Sequence, residues 1–141
     1  MKILVPVDGS AYTKRMLAYL AAHDEWLGGT HEYTVLHSVP AVPARAAAVI
    51  DRDTLKAYYT DEAEKVFKPI RAFFAKKPTL RVTYAAKPGV AADNIAQMAE
   101  KGDFDLIVMG SHGQGSLTNL VMGSVATKVL AHCKVPVLLV R

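Results

Sequence analysis

The chain has 141 residues and carries 17 Lys and Arg against 13 Asp and Glu, a net charge of +4. A 51% hydrophobic and 21% charged composition is that of an ordinary globular protein, so residues 1–141 are expected to form one domain burying roughly 70% of its unfolded surface. The single cysteine, Cys133, excludes an internal disulfide and suits a reducing compartment, so a cytoplasmic location is expected. No apolar run approaches the roughly 18 residues of a membrane span, and the opening stretch to Val7 is too short for a signal-peptide core. The cations are scattered among acids, and the densest group, between Lys68 and Arg81, reads as a solvated helix end, which makes nucleic acid an unlikely partner.

In chain order, Lys2 to Val7 is a near-continuous apolar run, the pattern of a strand buried on both faces, and Asp8-Gly9-Ser10 turns the chain into a first helix with Ser10 as N-cap. Leu17, Leu20, Ala21 and Leu27 mark that helix, and Gly28-Gly29 stops it. Glu32 to Val39 is the second strand. Pro40 and Pro43 break it, and the segment through Ile50 reads as a long loop or a ragged helix start. From Leu55, an apolar face through Phe74 predicts a long helix that continues, kinked, across Pro69. Leu80 to Ala85 alternates as an edge strand would, with Arg81 and Thr83 on the wet side. Pro88-Gly89 opens a third helix with Ala91, Ile95, Met98 and Ala99 inward, ended by Lys101-Gly102. Phe104 to Met109 is a fourth strand, a last helix carries Val125, Val129 and Leu130, and Pro136 to Val140 is a fifth strand.

The alternation of strands and helices predicts an α/β fold: a doubly wound parallel sheet covered by helices on both faces. Ligands of such sheets bind beyond the carboxyl ends of the strands, where the winding reverses. Asp8, Val39 and Gly110 fall at strand ends and would rim one crevice if the first and fourth strands are neighbours.

The polar stretch between the fourth strand and the last helix, from Gly110 to Ser124, is the candidate site. It places glycine-rich backbone and a helix N-terminus together, an arrangement that holds phosphate without a cationic side chain. Familiar motifs fail here. The loop has no lysine for a P-loop, Thr118 stands where a dinucleotide fingerprint requires its third glycine, no G-x-S-x-G elbow occurs, and the five histidines have no zinc spacing.

The pattern present is Gly110-Ser111-His112-Gly113, nine residues, then Gly123-Ser124. Together with the opening ILVPVDGS, the strand DLIVMGSHG, the helix start MGSVATKVL and the ending VPVLLVR, it resembles the ATP-binding branch of the universal stress protein family across nearly the whole chain. The resemblance implies a five-stranded sheet ordered 3-2-1-4-5, ATP (or AMP or ADP) as ligand, with Mg2+, and a homodimer. It implies that Asp8 contacts the nucleoside, Val39 holds the adenine, Gly110 approaches the ribose and first phosphate, and Gly113, Gly123 and Ser124 cradle the phosphates. Ser124 could also cap its helix. An apolar edge strand from Val135 to Val140 is expected to pair with a second copy.

Two positions depart from the family pattern. Gln114 stands where a basic residue is frequent, and Thr127-Lys128 where an acidic-basic pair is common. Asp8 also reads as the cap of an Asp-Gly turn, and His112 as a residue packing over the site. Ser111, Ser116 and Thr118 are conceivable phosphoryl acceptors. With no arginine and no second carboxylate in the loop, however, the expectation is binding with slow or no hydrolysis. A nucleotide-free dimeric interaction protein and a weak ATPase are the alternatives.

Overall fold

Strand β1 (Lys2–Pro6) is buried from Ile3 to Pro6, as its uninterrupted apolar run predicts. The computed structural model describes residues 1–23, 29–115 and 119–141, and in it β1 is the centre of a five-stranded parallel sheet. The other elements follow as α1 (Ala11–Ala22), β2 (Glu32–Val39), the short α2 (Ala44–Ala47), α3 (Arg52–Ala75), β3 (Arg81–Pro88), α4 (Ala91–Lys101), β4 (Leu106–Gly110), α5 (Ser124–His132) and β5 (Val137–Val140). The strand order is β3-β2-β1-β4-β5, as expected. The chain winds outward through β2 to β3, crosses back over the sheet and winds outward again through β4 to β5. The direction reverses between β1 and β4, which pair from Ile3 opposite Leu106.

Period-two alternation along the strands divides the core in two. On one face Ile3, Val5, Tyr33, Val35 and Val39 pack against Met16, Leu17 and Leu20 of α1 and Ala63, Phe67, Ile70 and Phe74 of α3. On the other, Leu4, Leu36, Ile107 and Met109 meet Ala92, Ile95 and Ala99 of α4 and Ala126 and Val129 of α5. Each fully buried aliphatic side chain in these clusters contributes about 1.5–3 kcal/mol relative to exposure. The two halves of the winding therefore place their helices on opposite faces, and the reversal leaves an opening above the carboxyl ends of β1 and β4.

Several boundaries differ from the sequence expectation, each for a local reason. Ser10 does occupy the N-cap position of α1, yet its hydroxyl makes no capping bond. α1 ends at Ala22 with His23 as its C-cap, ahead of the expected stop at Gly28-Gly29, of which Gly28, like Leu27, lies outside the described residues. The segment after β2 contains α2, and α3 begins three residues before Leu55 because Asp51 caps it, accepting from Thr54 N at 2.8 Å. The helix runs on through Pro69. β3 starts after Leu80 and extends to Pro88, so Pro88 ends a strand rather than opening a helix, and α4 starts at Ala91 with Ala92 in the core where Ala91 was expected. β4 begins at Leu106, since Asp105 turns back to accept from Lys2 N at 2.7 Å. In α5 Leu130 is 46% exposed and Ala126 packs inward with Val129. β5 pairs only with β4 and is a half-exposed edge. Among the described residues no helix is long and apolar enough to cross a membrane.

Candidate functional site

Above the ends of β1 and β4 lies a cavity of about 360 Å³. Its floor is apolar, with Leu36, Ile95 and Met109 continuing the α4/α5 core upward and Val7 beside them. One wall is the carboxyl end of β1 with Asp8, another the turn at Gly110 and His112 to Gly115, and a third the first turn of α5. Of the sequence candidates, Asp8, Gly110, Gly113, Gly123 and Ser124 all line this space.

Val39 does not line it. Its side chain is 2% exposed within the α1/α3 core, and its carbonyl accepts from Gly89 N at 2.9 Å. Leu36, His37 and Ser38 line the cavity, while the side chains of Val35 and Val39 are buried in the α1/α3 core layer. Ser38 lines the cavity and its hydroxyl accepts from Asn94 Nδ2 at 3.1 Å. Extending the in-out pattern of β2 by two residues from Leu36 would have pointed to Ser38.

The helix start supplies the donors. Gly123 is the N-cap of α5, so Ser124 is its first helical residue and does not cap it, contrary to expectation. Helix geometry leaves the N–H groups of Ser124, Val125 and Ala126 without an intrahelical partner, and all three residues border the cavity. Gly123 itself is held down, donating its N–H to Ser111 O at 2.7 Å. A Cβ there would stand 3.0 Å from His112 Cα and 3.2 Å from Ser111 O, so the demand for glycine is one of close backbone approach.

The opposite side is organised around Asp8. Its Oδ1 accepts from Ser10 N at 2.9 Å and Thr13 Oγ1 at 3.0 Å, and its Oδ2 accepts from Gln114 N at 3.0 Å. Gln114 closes a second link by donating Nε2 to the Asp8 carbonyl at 2.7 Å. The carboxyl is held below the ordinary range: burial resists ionisation, but the donors from Ser10, Gln114 and Thr13 outweigh it. A Cβ on Gly113 would lie 2.6 Å from Asp8 Oδ2. That glycine is therefore required by Asp8. Thr13 and Gln114 were not among the sequence candidates as partners of Asp8; Thr13, a buried hydroxyl one turn into a helix after an Asp-Gly turn, was the available signal.

His112 fastens the loop. Its Nε2 donates to Leu120 O at 2.7 Å, which leaves Nδ1 of the neutral ring to accept from Ser111 Oγ at 2.8 Å. Its ring lies 4.8 Å from that of Tyr12, over which Arg15 sits at 4.9 Å. His112 therefore packs over the site as a brace. Ser111 is 2% exposed and bonded to that ring, and Ser116 and Thr118 lie outside the described residues. The described residues do not fit a protein-held Mg2+: no three His, Cys, Asp or Glu side chains cluster, and the Asp8 carboxylate already accepts three hydrogen bonds.

A doubly wound sheet of order 3-2-1-4-5, with its opening at the reversal point bordered by a glycine loop and a helix N-terminus, has the strand order of the Rossmann class of α/β folds. The universal stress protein family model matches residues 1–141, and the chain belongs to that family. It is 33% identical over 139 residues to a universal stress protein of Thermus aquaticus, covering 99% of this chain and 97% of that one. The solved structure of the hypothetical protein MJ0577 superposes with a TM-score of 0.78 at 27% identity, covering 99% of this chain and 94% of its own. At lower identity, a universal stress protein from Archaeoglobus fulgidus in complex with dAMP (22%, TM-score 0.68, covering 100% and 98%) and one from Arabidopsis thaliana with AMP bound (16%, TM-score 0.69, covering 99% and 90%) share the fold.

Proposed function

We propose that this protein binds an adenine nucleotide in the crevice between β1 and β4 and acts as a cytoplasmic regulatory module in the stress response, with slow or no hydrolysis. The whole chain, residues 1–141, serves as the nucleotide-binding domain. The carrying observation is the first turn of α5, whose three unpaired N–H groups border a cavity with an apolar floor. A phosphate at that turn gains directed hydrogen bonds and the favourable end of the helix dipole. A flat base suits the floor of Leu36, Ile95 and Met109. Asp8, Gly110, Gly113, Gly123 and Ser124 are the proposed contact residues. ATP, ADP and AMP are all candidate ligands, and the complexes of related folds with AMP and dAMP support the class. The cytoplasmic location rests on the lone, partly buried Cys133.

Slow or absent turnover is the reading that the walls support, since among the described residues lining the cavity there is no arginine or lysine to stabilise a transferring phosphoryl group. Titration calorimetry with adenine nucleotides up to millimolar concentration is the test. Saturable binding is expected, and no heat with any of them would refute the reading.

A second reading is a nucleotide-free dimer, favoured by Asp8 filling donors of the glycine loop and by the internal packing demands on Gly113 and Gly123. Dimerisation through the β5 edge is part of both readings.

A further inference from the structure

The two edges of the sheet are unlike. β5 is apolar throughout, whereas β3 alternates between exposed and half-buried residues over most of its length and pairs, among the described strands, with β2 alone. The bond from Gly89 N to Val39 O fixes the phase of that pairing. In a parallel pair the N–H and C=O of one residue point to the same side and successive residues alternate. The odd-numbered backbone of β3 therefore faces β2, and that of Val82, Tyr84 and Ala86 faces outward. The open stretch has definite ends. Leu80 N donates to Lys77 O within the preceding turn, and Pro88, at the next outward position, has no N–H. What lies between can receive one short added strand.

Side chains decide what that strand can be. Val82 and Tyr84 join the α3 layer, and the Tyr84 ring is held with its centroid 5.3 Å from that of Phe67 and 4.0 Å from the Arg71 guanidinium carbon. Arg81, Thr83, Ala85 and Lys87 take the opposite face, where Ala85 meets the α4 layer and the Thr83 hydroxyl lies 3.0 Å from that of Thr34. Arg81 and Lys87 thus stand on one face, about 20 Å apart along the strand. Arg81 reaches Glu32 at 3.5 Å, but that pair is exposed and leaves most of the guanidinium donors open. From Val66 to Ala92 the chain holds six Lys and Arg and no Asp or Glu, so the edge belongs to a basic stretch. A second copy is a poor occupant. In the antiparallel register that engages Val82, Tyr84 and Ala86 of both copies, Arg81 of one falls opposite Lys87 of the other, and like charges directly opposed destabilise a strand pair. We propose that the outer edge of β3 is a docking site for an extended acidic segment of another protein, added to the sheet as a further strand. Carboxylates six residues apart lie opposite Arg81 and Lys87, and β-branched residues between them pack beside Val82 and Tyr84. Backbone pairing supplies the affinity and the two charge pairs select the partner.

The probe is the end-blocked peptide Glu-Val-Thr-Val-Thr-Val-Glu, whose carboxylates match the two cations in either strand direction, with Lys-Val-Thr-Val-Thr-Val-Lys as its opposite. Amide shifts of the isotope-labelled protein are followed by NMR at low salt, up to millimolar peptide. The acidic peptide should give saturable shifts centred on Val82, Tyr84 and Ala86, and the basic one should bind about tenfold or more weakly. Arg81→Glu combined with Lys87→Glu should reverse that order. Ala86→Pro, which removes an outward N–H and leaves the bonds to β2, should weaken the acidic peptide about tenfold or more. No saturable shift with the acidic peptide would overturn the proposal, and so would equal affinity for the two peptides. Binding that survives Ala86→Pro would overturn it as well, since the charges would then attract the peptide without strand pairing. A dimer of the unmodified protein that Ala86→Pro dissociates would give the edge to a second copy and have the same effect. Thermal melts of the three proteins are expected to coincide; should Ala86→Pro melt lower, the charge reversal alone decides.

Discussion

Replacing Gly113 by alanine tests whether the glycine loop is shaped by Asp8 or by a ligand. The added Cβ would stand 2.6 Å from Asp8 Oδ2, closer than carbon and oxygen pack, with the Asp8 carboxyl carbon at 3.8 Å. Asp8 cannot swing aside freely, because Ser10 N and Thr13 Oγ1 hold its other oxygen at 2.9 and 3.0 Å. The bond from Gln114 N to Oδ2 is then the one to break. A hydrogen bond to a charged group contributes about 1.5–3 kcal/mol, so Gly113→Ala should destabilise the protein by roughly that amount. In a chain of this size this is a drop of about 4–10 °C in melting temperature. The same substitution made on an Asp8→Ala background meets no carboxylate and should cost under about 0.5 kcal/mol. Urea melts of the four proteins in the absence of nucleotide give the coupling energy directly. Additive costs would refute the assignment, since the glycine would then be required by something other than Asp8.

Two further outcomes follow from the same geometry. The folded-state pKa of Asp8 lies below its ordinary value, so its stabilisation is fully present above about pH 4 and is lost as pH falls through the lower folded value. Asp8→Asn should remove that part of the acid sensitivity, and melting temperatures of the two proteins should converge as pH is lowered below 4; a constant gap would contradict it. At the sheet edge, the bonds from Ile107 N to Pro136 O and Ser111 N to Val140 O turn the even-numbered backbone of β5 toward β4. The N–H of Leu139 therefore faces outward, and Leu139→Pro removes it without breaking the sheet. A dimer paired through β5 should become a monomer by analytical ultracentrifugation, and an unchanged dimer would place the interface elsewhere.

The architecture was legible because its cause is local and periodic. Apolar runs at β1 and β4 and the 3.6-residue faces of α3 and α4 report burial directly, and the parallel order follows from their alternation. Helix starts were less legible, since they depend on which polar side chain reaches which N–H. Asp51 caps α3 in a segment rich in alanine and proline, whereas Ser10 and Ser124, both suitable by type, make no cap bond or stand one residue inside the helix. Leu130 shows the limit of composition, because a nine-residue helix with apolar residues around it does not announce which ones face inward. The site was legible as a region. Five of the six candidates line one cavity, and the sixth, Val39, packs its side chain in the opposite layer.

What no motif could convey is that Asp8 answers to two demands. An Asp-Gly turn needs it to cap Ser10 N, and a nucleoside site needs it to accept from the ligand, and these readings look exclusive in sequence. A carboxylate offers about four acceptor positions. Ser10 N, Thr13 Oγ1 and Gln114 N fill three of them, two on Oδ1 and one on Oδ2. The remaining position on Oδ2 belongs to a residue that lines the cavity, so a hydroxyl donor such as a ribose can be accepted there without releasing the turn, the helix or the loop. A phosphate has no proton to offer at neutral pH and meets only repulsion from the same atom. One carboxylate can thus brace the glycine loop and still offer an acceptor position beside the cavity.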